Sequence, residues 1–188
     1  MTYRLWLKKL KLNYSKDIID IVQFGSSVIL GVIPKDVDIA VIFQKIPLKE
    51  QLNQAQEIKK QFQEQVDLPI HISSFDFYSL LDKGNFAKED LFFYGKSIIT
   101  GGYFAKKFNL NPQLQISYNL FKLKKKDKVR FNYLLNGKKG NYGLLRAHDG
   151  KLLNPGLIEI PPECEKIFID RIRDIIQDFK MKRVFIQD

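Results

Sequence analysis

Asp36 and Asp38 stand two residues apart at the mouth of an apolar run that continues to Phe43. Side chains alternate along a strand, so two acids at this spacing project to the same side. Carboxylates held side by side repel each other unless a cation lies between them, and this recruits a divalent metal. Nine residues separate Asp36 from Ser26, which follows Gly25 at the end of another apolar run, residues 18–24. Glycine permits a tight turn there, and free N–H groups opening the next helical stretch form an anion site. Ser27 either joins that phosphate cradle or caps the helix. Acids and cradle together imply metal–phosphate chemistry.

These residues need a frame of strand, turn, short helix and strand. Residues 17–24 and 37–43 read as buried strands, and residues 26–31 as a short helix ending at glycine. Pro47 opens a helix with apolar residues Leu48, Leu52, Ala55, Ile58, Phe62 and Val66 at steps of three and four. A third strand is expected at 68–73, with helical stretches at 76–83 and 87–94. Asn109-Leu110-Asn111-Pro112 reads as a boundary. Beyond it, 114–123 suits a helix, while 129–135 fits a helix or a strand equally well. A flexible loop at 137–143 and a hairpin turn at Asp149-Gly150 follow. A last helix starts at Pro161-Pro162, and a short strand closes at 184–186. Residues 1–17 form either an amphipathic helix or an extended arm.

Gly25-Ser26, nine residues and Asp36-Val37-Asp38, set between apolar flanks, resemble the signature of nucleotidyltransferases of the DNA polymerase β superfamily. The likeness is to its small, minimal branch and covers roughly residues 18–105. It implies an α+β fold with a small mixed sheet packed with helices over residues 1–108; the composition beyond the boundary reads as a separate basic α+β domain over 112–188. The likeness also implies Asp36 and Asp38 as ligands of two Mg²⁺ ions. Gly25 and Ser26, with Ser27 as a possible helper, would then lie against a nucleoside triphosphate, with ATP the expected one. Members usually carry a third acid on the strand after the long helix. Here that strand reads Val66-Asp67-Leu68-Pro69-Ile70-His71-Ile72, in which Asp67, Pro69 and His71 share a face. Asp67 is the favoured third acid and Asp76 a further candidate. Without one, activation of the acceptor hydroxyl weakens and nucleotide binding without transfer becomes a rival.

The chain has 188 residues and a net charge of +10, with 45% hydrophobic and 13% aromatic residues, which excludes disorder. No apolar run approaches the ~20 residues that span a bilayer, and the N-terminus lacks the apolar core of a secretion signal. One cysteine, Cys164, allows no internal disulfide. A cytoplasmic protein with no membrane partner is expected.

The charge is concentrated. Residues 122–146 hold nine Lys and Arg, Lys122 through Arg146, against the single acid Asp127. Such a patch attracts a polyanion, for which RNA is the leading candidate, or else is ordinary solvated surface. Gly95-Lys96-Ser97 mimics the end of a phosphate-binding loop but has Asp90 where its first glycine belongs. His71 and His148 lack partner cysteines and do not read as a metal pair. The expected activity is metal-dependent transfer of a nucleotide to an RNA end, with a protein side chain as competing acceptor.

Overall fold

The computed structural model describes residues 4–5, 10–81, 87–138 and 140–187, and the chain is a mixed α+β protein. It divides into two compact units, one of residues 1–28 and 32–110, the other of residues 29–31 and 111–188. Residues 1–3, 6–9 and 82–86 lie outside the described residues. So do parts of the expected N-terminal helix or arm and of the 76–83 helix.

The first unit is built on β1 (Ile18–Phe24), β2 (Val37–Phe43), β3 (Ile70–Asp76) and β4 (Lys96–Ser97), in the spatial order β3-β2-β1-β4. β1 runs antiparallel to β2 and β4, whereas β2 and β3 are parallel. A parallel pair needs a crossover, supplied here by helix α1 (Leu48–Gln63). Burial on both faces explains why β1 and β2 read as continuous apolar runs. Val37, Ile39, Val41 and Phe43 share a core with Ala55, Ile58 and Phe62. Full burial of Ile58 and of Phe62 contributes about 1.5–3 kcal/mol each. Leu48 and Leu52 of the expected apolar stripe are instead exposed, and Gln51 is buried, its amide donating to the Ile46 carbonyl. On the other face Val22, Ala40 and Ile42 pack with Leu80, Leu91 and Phe104. Leu91 lies on α2 (Ala87–Phe93).

Asp20 is fully buried in this second core. Its Oδ1 accepts the Ser97 hydroxyl at 2.7 Å and the Ile21 N–H at 2.8 Å, and Lys107 Nζ lies 3.3 Å from Oδ2. Burial raises its pKa more than these partners lower it. Its stabilising contribution is therefore present in acid and is lost as pH rises through the raised value. Lys107→Ala removes one compensating charge. It should cost about 1–3 kcal/mol at neutral pH, a deficit that shrinks as acid protonates the carboxyl. Urea denaturation of both proteins at the two pH values measures it.

The second unit carries β5 (Leu110–Tyr118), β8 (Lys151–Asn154), β9 (Leu157–Ile160) and β10 (Phe179–Gln187) in the order β10-β5-β9-β8. Its helices are α3 (Lys125–Asn136), α4 (Leu144–Ala147) and α5 (Glu165–Arg173). A two-residue ladder, β6 (Gly137–Lys138) with β7 (Asn141–Tyr142), makes a hairpin of the expected flexible loop, with Lys139 outside the described residues.

Several expectations are corrected here. Residues 114–118 are strand, because Leu114 and Ile116 pair with Ile160 and Ile158 and are buried at a period of two. Residues 129–135 are helical. Asp149-Gly150 turns from α4 into β8, whereas the β8–β9 hairpin turns at residues 155–156. The last helix ends at Arg173, and β10 extends the expected short closing strand back to Phe179. Among the described residues no helix is long and apolar enough to cross a membrane.

Candidate metal and phosphate site

The register of three strands assembles the site. Phe24, the last residue of β1, pairs with Asp38, and Asp38 pairs with His71 on the parallel strand β3. Asp38 shares its sheet face with Ala40 and Ile42, and His71 shares that face by pairing. Asp36 lies just before β2. One donor atom from each of Asp36, Asp38 and His71 falls within 4.8 Å of the others. His71 Nδ1 is 3.6 Å from Asp36 Oδ2 and 3.7 Å from Asp38 Oδ1.

Gly25 closes the other side. Its φ is +69°, the left-handed region that glycine enters without strain. A Cβ placed on it would overlap Asp38 Oδ2. The carboxylate thus occupies space that only glycine leaves free. Burial raises the Asp38 pKa, the Asp36 charge raises it further, and His71 opposes both.

Residues 25–28 form a single 3₁₀ turn in place of the expected helix. Ser26 is exposed on it. Ser27 is buried, its Oγ accepting Gln23 Nε2 at 2.9 Å and donating to the Phe24 carbonyl at 3.1 Å. Gln23 Oε1 in turn accepts the Leu5 N–H at 3.0 Å. The Ser27 hydroxyl is therefore committed to shaping the turn. Gln23 is a positioning residue, and its signal in the sequence is a lone amide inside an apolar strand.

Asp67 is exposed in the bend before β3 and does not belong to the Asp36–Asp38–His71 group. Asp76 pairs with Phe43 at the far end of the strand, five residues or about 16 Å from His71. Its carboxylate accepts the Ser79 and Tyr78 N–H groups, which hold its pKa low. The third group beside the aspartates is His71, a residue passed over in the sequence because it is not a carboxylate. Lys96 pairs with Gln23 and so faces away from Asp38. It is buried, with Nζ 3.2 Å from the Tyr103 ring centroid.

In the second unit, Lys122, Lys124, Lys125, Lys126 and Arg130 are exposed, and among the described residues none forms an ion pair. Helix α3 begins within this cluster, with no side-chain cap. Cations at a helix N-terminus oppose its dipole, which favours an anion there. Tyr142 is exposed, with the Arg146 guanidinium 4.2 Å from its ring centroid. Comparison with protein-family models, with curated proteins and with solved structures finds no match to this chain.

Proposed function

We propose that this protein is a metal-dependent nucleotidyltransferase that moves a nucleoside monophosphate from a triphosphate, ATP being the first candidate, to an acceptor that is an RNA end. One observation carries the reading: the Asp38 carboxylate fills the space a side chain at Gly25 would need, which supports an acid lying beside the Gly25 turn. The donor set of two carboxylates and an imidazole fits a divalent cation. Divalent ions bound at such a site activate the attacking oxygen and neutralise charge on the transferring phosphoryl group. Asp36 and Asp38 would hold them. The Gly25 and Ser26 N–H groups and the exposed Ser26 hydroxyl would orient the triphosphate, while Ser27 and Gln23 keep the turn rigid.

The test supplies labelled triphosphates and a divalent ion together with total RNA or candidate proteins. Metal-dependent label on RNA is the expected outcome. Label on a protein side chain would replace the acceptor, and label on neither would replace the enzyme with a nucleotide-binding module. That last reading is favoured by one observation, that a histidine stands where a third acid is needed.

The exposed lysines ahead of α3 support RNA as acceptor. Each phosphate contact to a single strand contributes about 0.7 to the salt slope of binding. Replacing Lys124, Lys125 and Lys126 together by Ala should lower that slope by about 2 and weaken RNA binding at low salt. A titration series with an oligonucleotide at several salt concentrations measures it, and an unchanged slope reassigns these residues to ordinary surface.

A further inference from the structure

His71 differs in kind from its two neighbours. Carboxylates are hard oxygen donors that suit Mg²⁺, which demands near-octahedral oxygen coordination and gives up water reluctantly. Imidazole is a nitrogen donor that suits Fe²⁺, Ni²⁺, Cu²⁺ and Zn²⁺, with Co²⁺ between Fe²⁺ and Ni²⁺ in the general order of affinity. Two donors bound to one ion at about 2.1 Å can be at most about 4.2 Å apart. The His71 separations, 3.6 Å and 3.7 Å, fall inside that limit for both aspartates.

The placement of the ring is not incidental to packing. His71 is exposed, so burial does not account for it. The parallel register sets it opposite Asp38, and the strand period turns it to the same sheet face. We infer that His71 is a direct metal ligand, making this a mixed nitrogen–oxygen site that selects a borderline divalent transition ion over Mg²⁺. The inference rests on the metal reading above and adds the class of ion. The competing role is that His71 merely lies beside the two aspartates and touches no metal.

Metal binding to the untagged protein separates the two roles without any activity assay. The measurements are made at about pH 8, where protons compete little with a metal for its donors. Calorimetric titrations with Co²⁺ alone and Mg²⁺ alone give a preference ratio. His71→Asp converts the donor set to all oxygen and should lower the Co²⁺ over Mg²⁺ ratio at least about tenfold, chiefly by strengthening Mg²⁺. The side chain is exposed, so the fold should tolerate the change, which a thermal melt checks. Independently, the electron spin echo of bound Mn²⁺ should carry nitrogen modulation in the native protein and lose it in His71→Asp. The chain has only two histidines, and the other, His148, packs against Phe168 in the second unit.

A preference ratio unchanged by His71→Asp, or an echo without nitrogen modulation, overturns the inference. If Asp38→Asn still abolishes binding in that case, the acid pair keeps its metal role and only the imidazole is demoted. If the native protein binds neither Co²⁺ nor Mg²⁺, the metal reading itself fails.

Discussion

Asp38→Asn should reduce metal-dependent nucleotidyl transfer by at least about three orders of magnitude. A divalent ion supplies several kcal/mol of transition-state charge stabilisation, and each 1.4 kcal/mol corresponds to about tenfold in rate. Stability should move the other way. The Asp38 carboxyl is held above its usual range by burial and by the Asp36 charge. A carboxyl raised in the folded state stabilises the protein in acid, and that contribution is lost as pH rises through the raised value. At neutral pH the ionised pair is a liability that Asn relieves. The variant should melt at the native temperature or above it near neutrality and show a flatter pH dependence on the acid side. Asp36→Asn should likewise abolish transfer. Melting curves at acidic and neutral pH, run beside the transfer assay, decide the matter. A marked loss of neutral-pH stability would make these acids structural.

Gly25→Ala should damage the site more than the fold. The left-handed conformation costs a non-glycine residue about 1–2 kcal/mol, which corresponds to a fall of about 2–8 °C in melting temperature for a chain of this size. The new methyl group would also overlap Asp38 Oδ2, an approach no pair of such atoms sustains. The carboxylate, as the free end of a side chain, is what gives way. Displacement of a reacting group by about 1 Å costs about a hundredfold, so transfer should fall at least that far, with metal affinity falling alongside it. Gly101→Ala is the control. Gly101 also has positive φ, 78°, so it carries a similar backbone penalty away from the acids. Equal losses of activity in the two variants would show that Gly25 acts through stability alone.

The parts of this fold that sequence made legible are those whose signal is local. β1 and β2 stand out because burial on both faces demands unbroken apolar runs, and the parity of Asp36 and Asp38 follows from strand geometry. The segment 114–123 suits a helix as long as its partner strand, Leu157–Ile160, is out of view. Pairing with β9 chose the period-two pattern of Leu114 and Ile116 instead. His71 was visible as a polar residue sharing a face with Asp67. What promotes it over Asp67 is the register between β2 and β3, a long-range property that no window of sequence contains. Ser27 illustrates the same limit, since its hydroxyl is claimed by Gln23 and the Phe24 carbonyl once the turn closes.

The parallel pairing of β2 with β3 has a consequence for how the protein matures. The two aspartates leave the ribosome well before His71, and α1 must be synthesised and docked between them. On the metal reading proposed above, a nascent chain would display a bare, self-repelling half of the site and would complete its donor set only after the crossover forms. Cation loading would then reward the finished unit alone, making the proposed ion a late checkpoint on assembly.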